Sequence, residues 1–89
     1  MTKRVRVFVS GRVQGVFFRV ECARMARDAG VGGSARNLPD GRVEAAFEGP
    51  DENVDRLVEW CRRGPSGARV ERIDVHEEPP TGEGGFAID

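Results

Sequence analysis

The chain has 89 residues, of which 38% are hydrophobic and 33% charged. That fits one folded domain over residues 1–89, at the small end of what a single core sustains, and is too apolar for a disordered chain. No apolar run approaches the ~20 residues that cross a bilayer. The basic opening MTKRVRVFVSG lacks the apolar stretch of a leader, so the expectation is a cytoplasmic protein with no targeting segment and no membrane partner. The net charge of −1 hides an imbalance: residues 1–42 hold nine Lys or Arg against three Asp or Glu, and residues 43–89 hold five against twelve. A basic first half points to an anionic ligand there, or merely to uneven surface charge.

VRVFV (5–9) sets Val5, Val7 and Val9 on one face at period two, the pattern of a half-buried strand. GRVQGVFF follows as a connection. From Arg19 to Ala29, Cys22, Met25, Ala26 and Ala29 recur at helical spacing with charged residues between them, and Gly30, Gly32 and Gly33 are expected to end that helix. SARNL reads as a short strand. PDG (39–41) is a turn in which Pro presets φ, Asp bonds back to the backbone and Gly takes positive φ. RVEAAFEG then places Val43, Ala45 and Phe47 on one face of a hairpin partner.

GPDENVDRLVEWCRRG is the second helix, with Asp51 at its start, Arg62 and Arg63 near its end, and Val54, Leu57, Val58 and Cys61 as its apolar stripe. ARVERIDVHEE is a strand whose alternation slips between Val70 and Ile73, as at a bulge. PPTGEGG reads as a flexible loop and FAID as a short final strand. The order β-α-β-β-α-β plus a terminal strand predicts a ferredoxin-like α+β sandwich, an antiparallel sheet with two helices on one face. Cys22 and Cys61 sit on the apolar stripes of the two helices. They fit small, buried, reduced residues, and two helices packed side by side leave a bridge between them open.

One stretch resists a bland reading. A connection that only had to turn would not set two phenylalanines and an arginine at a helix start, as VQGVFFR (13–19) does. N–H groups at a helix start lack intrahelical partners and face the positive end of the dipole, which suits a phosphate-sized anion. Gly15 lets the backbone curl, Arg19 supplies a fork for two phosphate oxygens, and Val16, Phe17 and Phe18 brace the loop. On the residues alone, an anion site and ordinary core packing are equally open. Asn37, in ARNLPDG, is either a turn residue or an amide able to orient a water near that anion. His76 is the only histidine, so no Ser/His/Asp set can form. No Cys or His spacing suits zinc, and DEN (51–53) and HEE (76–78) look like a helix start and a solvated edge, so no metal is expected. A cation, main-chain donors and an amide could cleave only a substrate with a very good leaving group.

GRVQGVFFR (11–19) and GSARNLPDGRVEA (33–45) resemble the two signature stretches of acylphosphatases, and WCRRGPSGARV (60–70) and FAID are similar to that family's second-helix exit and last strand. The resemblance implies hydrolysis of acyl phosphates to a carboxylate and inorganic phosphate, without cofactor, on a ferredoxin-like fold. It places the catalytic arginine at Arg19 and the catalytic asparagine at Asn37. It places the phosphate-binding loop at Gln14, Gly15, Val16, Phe17 and Phe18, through their main-chain N–H groups. Ser34 and Ala35 stand where the family commonly has an aromatic residue and a valine, and they are expected to line the rim. The expected molecule is a monomer. The alternatives are a non-catalytic phosphate- or carbamoyl-phosphate-binding module and a single-stranded RNA binder on the same sandwich. The chain has no RNP-like run, so a nucleic-acid partner is not expected.

Overall fold

Val5, Val7 and Val9 are each buried to within 2% of full exclusion, while Phe8 between them is half-buried on the other face. The computed structural model describes residues 1–89 and extends that strand, β1, to Thr2–Arg12. The chain continues through α1 (Phe18–Asp28), β2 (Gly32–Asn37), β3 (Val43–Pro50), α2 (Asp51–Cys61), β4 (Arg69–Glu78) and β5 (Phe86–Ile88). The strands form one sheet in the order β4-β1-β3-β2-β5. The apolar face formed by Val5, Val7, Val9, Val43, Ala45 and Phe47 meets Phe18, Cys22 and Ala26 of α1 and Val54, Leu57 and Cys61 of α2 in one core. This is the ferredoxin-like α+β sandwich read from the sequence.

The sheet is mixed rather than antiparallel throughout. β1 pairs antiparallel with β3 and β4, and β2 antiparallel with β3, but β5 runs parallel to β2. After β4 the chain reverses and crosses to the opposite edge, where its new direction matches that of β2. β1, β2 and β5 therefore all finish at the same end of the sheet, and α1 starts there too. The expected slip in β4 is present: Ser10 pairs with Arg72 and Gly11 with Val70, leaving Glu71 as the extra residue of a bulge.

Several expectations change with the long-range partners in view. Gly30 does end α1, at φ 68°, but Gly32 and Gly33 belong to β2. A Cβ on Gly33 would lie 1.8 Å from the carbonyl oxygen of Ala46, so the close strand approach requires glycine there. Ala35 is fully buried opposite Ala45 and belongs to the core, not to a rim. Ser34 is half-buried on the other face, opposite Ala46.

The basic first half has an internal explanation for much of its charge. Arg4 donates to Glu78 at 2.7 Å and to Glu48 at 3.1 Å, Arg6 to Glu44 at 2.8 Å, and Arg36 to Glu44 at 2.6 Å. The residue 79–85 segment is strapped onto this network rather than free. Glu48 accepts hydrogen bonds from the Thr81 N–H at 2.9 Å, the Thr81 hydroxyl at 3.2 Å and the Gly82 N–H at 2.7 Å. Cys22 and Cys61 are both buried and unbridged, and the Cys61 thiol is pushed well up by its hydrogen bond with Cys22 and by burial.

Candidate active site

The β1–α1 connection packs at the sheet end where β2 and β5 finish. Phe18 and Arg19 on the first turn of α1, Asn37 at the last position of β2, and Gly15 and Phe17 of the connection line one pocket of about 300 Å³, together with Val13 and Val20. Residues far apart in sequence thus meet because two parallel-running strands and a helix start share one end of the fold.

The backbone of the connection is unusual. Gly15 has φ 75°, and Phe17 has φ 63° and ψ 26° at the N-cap of α1, the only non-glycine residue with positive φ. For a bulky side chain this conformation is strained, and such strain persists only where the surroundings impose it. The surroundings do so on both flanks. Val13 is buried before the loop and Phe18 is buried after it. The Phe18 ring lies 5.0 Å from that of Trp60, and Gly64 leaves it room, since a Cβ there would come within 2.7 Å of the ring. The two phenylalanines therefore have different roles: Phe18 is the brace, while Phe17 is 76% exposed.

The consequence is a run of free donors. The first helical bond of α1 is from the Glu21 N–H to the Phe17 carbonyl at 3.0 Å, and no main-chain N–H from Gly15 to Val20 has an acceptor in the chain. Alternating backbone handedness and a helix start turn such groups into a concave anion cradle.

The Gln14 main-chain N–H also has no acceptor in the chain, and its side chain is engaged as well. Its side-chain Nε2 donates to the carbonyls of Leu38 at 2.8 Å and Arg42 at 3.0 Å, stitching the loop to the turn after Asn37. That turn is closed by the Leu38 N–H to the Arg42 carbonyl at 2.8 Å, and Asp40 bonds back to the Arg42 N–H at 3.1 Å. Asn37 is exposed and outside these bonds. Arg19 Nη1 donates to the main-chain oxygen of Asp89 at 2.6 Å, and the Asp89 N–H is itself fixed to the Ala35 carbonyl at 2.9 Å. The guanidinium thus keeps further donors for a ligand while its direction is set from β5. Sequence reasoning missed both Asp89 and the Gln14 stitch, because each partner lies far along the chain and carries no local pattern. His76 is exposed against the Phe8 ring at 6.0 Å, away from the pocket.

A single guanidinium, a curved row of main-chain donors and an uncommitted amide can hold a tetrahedral oxyanion and orient a water beside it. Residues 5–88 match the family model described as Acylphosphatase. A protein named acylphosphatase from Rubrobacter xylanophilus is 63% identical over 91% of this chain and 74% of its own length. One from a Roseiflexus species is 58% identical over 96% and 92%. The crystal structure of acylphosphatase from Bacillus subtilis superposes with a TM-score of 0.93 at 36% identity, covering 100% of this chain and 99% of the other.

Proposed function

We propose a division of labour for this chain, which belongs to the acylphosphatase family and hydrolyses acyl phosphates to a carboxylate and inorganic phosphate: the Gly15–Val20 main chain and Arg19 hold the phosphoryl group, and Asn37 orients the attacking water. The observation that carries it is the run of unpaired N–H groups from Gly15 to Val20, all of whose residues except Val16 line one pocket with Asn37. Gln14 on this reading adds its own main-chain N–H to the cradle and positions the loop through its side chain.

The chemistry asks little more of the protein. A mixed carboxylic–phosphoric anhydride expels a carboxylate, a weak base that needs no general acid. Water forms the new P–O bond as the bond from phosphorus to the acyl oxygen breaks, and the electron pair leaves with the carboxylate. The water's proton passes to a phosphoryl oxygen, leaving inorganic phosphate. Charge spreads over the equatorial oxygens in the transition state, where preorganised donors act most strongly. The N–H groups fixed by the strained loop cost no reorganisation at that moment.

The proposal includes a metal-free reaction by one domain that works as a monomer in the cytoplasm, without a nucleic-acid partner. No helix is long and apolar enough to cross a membrane. The test is benzoyl phosphate hydrolysis with EDTA present, in the wild type, Arg19→Ala and Asn37→Ala. Asn37→Ala should lose ~10²–10³ in kcat while inorganic phosphate still inhibits it. Arg19→Ala should lose both turnover and phosphate inhibition. Near-normal turnover in either folded variant refutes its assigned role, and activity abolished by EDTA refutes the metal-free step.

A further inference from the structure

The phosphate pocket has a neighbour. A second cleft, of about 510 Å³, is lined by Val16, Phe17, Pro65, Ser66 and Gly67, with Glu21 and Gly15. It shares Gly15 and Phe17 with the pocket that contains Arg19 and Asn37, and it lies between the β1–α1 connection and the segment that follows α2. From this arrangement we infer that the cleft receives the acyl group of the substrate, and that it selects flat, uncharged acyl groups over acyl groups bearing a second anion.

In phosphoryl transfer, attacking and leaving oxygens lie roughly in line on opposite sides of phosphorus. Asn37 marks the water's side and lines only the first pocket. The acyl carboxylate must leave on the other side of the phosphoryl group, across the loop that binds it. The second cleft begins at that loop, at Gly15 and Phe17, and contains neither Arg19 nor Asn37.

Its lining suits an acyl chain. Phe17 is 76% exposed, so its ring offers apolar surface rather than packing into the core. Its φ of 63° means that the loop sets the direction of its Cα–Cβ bond. Val16 is half-buried and also packs against the core. The lining contains no cation and one carboxylate, Glu21, which Arg24 Nη2 already holds at 2.6 Å. A second carboxylate or phosphate on the acyl group would find no counter-charge there, whereas an aroyl or short acyl group would meet Phe17 and Val16.

The inference rests on the phosphate assignment above, and the experiment separates the two. Ser66 is exposed, and filling the cleft from it leaves the Gly15–Val20 donors untouched. Ser66→Phe should lower kcat/KM for benzoyl phosphate about tenfold or more relative to acetyl phosphate, the scale on which apolar pockets discriminate size, with inhibition by inorganic phosphate unchanged. If that variant does not fold, Gly67→Leu takes its place. A Cβ on Gly67 would meet Val16 at an ordinary 3.6 Å. In the wild type, benzoyl phosphate should exceed succinyl phosphate in kcat/KM. An unchanged benzoyl-to-acetyl ratio in an enzyme that still depends on Arg19 overturns the cleft assignment alone, and a preference for succinyl phosphate overturns the charge selection. Turnover indifferent to Arg19→Ala overturns the phosphate assignment and the cleft together.

Discussion

Replacing Gln14 by leucine removes the two bonds that join the β1–α1 connection to the turn after Asn37 while keeping side-chain bulk. A net contribution of ~0.5–1.5 kcal/mol per hydrogen bond brackets the loss at about 1–3 kcal/mol. The structure places it in the lower part of that range. The Leu38 carbonyl keeps the Gly41 N–H at 3.1 Å and the Arg42 carbonyl keeps the Leu38 N–H at 2.8 Å, so neither acceptor is orphaned. The stability loss should be about 1–2 kcal/mol, read from urea denaturation. Trp60, the only tryptophan, is a built-in fluorescence probe with its ring tilted against that of Phe18 at 5.0 Å. Catalysis should suffer more than stability, because the loop and Asn37 are then no longer registered. Misplacement by about 1 Å can cost ~10² in rate, so kcat for benzoyl phosphate should fall ~10–10² with inhibition by inorganic phosphate little changed. A folded Gln14→Leu enzyme with wild-type kcat would refute the stitch, as would a stability loss of about 4 kcal/mol or more with activity intact.

Two further expectations follow from the open face of the sheet and from the close strand pair. Glu48 is lowered from 4.5 to about 2, chiefly by the Thr81 N–H, against an opposing push from burial and with help from the Gly82 N–H and Arg4. A carboxylate held below its unfolded value stabilises the fold above that value and loses the contribution as pH falls through the folded one. The wild type should therefore lose stability between about pH 4.5 and 2, and Glu48→Gln should show a shallower loss over that window in urea midpoints; equal slopes would count against the strap. Gly33→Ala should destabilise by about 3 kcal/mol or more, since its Cβ would meet the Ala46 carbonyl oxygen at 1.8 Å and its φ is 135°; a urea midpoint within error of wild type contradicts the close approach.

What could be read without coordinates was local. The period-two valines of β1, the apolar stripe of α2 and the PDG turn each carry their instruction within a few residues, and so does the break in alternation that became the Glu71 bulge. The loop GRVQGVFFR was legible as more than a plain turn, because bulky groups beside a glycine are costly there, and its backbone does take positive φ at Gly15 and Phe17. What escaped depended on partners far along the chain. The strap over 79–85 was read as a flexible loop because its anchor, Glu48, is a distant acid that looks like a surface charge until Thr81 and Gly82 reach it. The parallel pairing of β5 follows from which edge the chain crosses to, and no residue of FAID encodes that. Ala35 was placed at a rim because its neighbour Asn37 was expected at the site, but the pleat turns it into the core. Phe17 and Phe18 were indistinguishable in sequence, and only the left-handed backbone at Phe17 separates the exposed ring from the buried brace.

The central claim is that the phosphoryl group sits on the Gly15–Val20 main chain beside Arg19. A ¹H–¹⁵N NMR titration of the wild type with inorganic phosphate tests it most directly, since it reads each N–H separately. The amides from Gly15 to Val20 and the Arg19 side chain should shift together along one saturable curve, with Asn37 responding beside them. Shifts gathered instead around Arg56, Arg62 and Arg63, which line a separate cleft with Trp60 on the helical face, with the Gly15–Val20 amides unmoved, would contradict it.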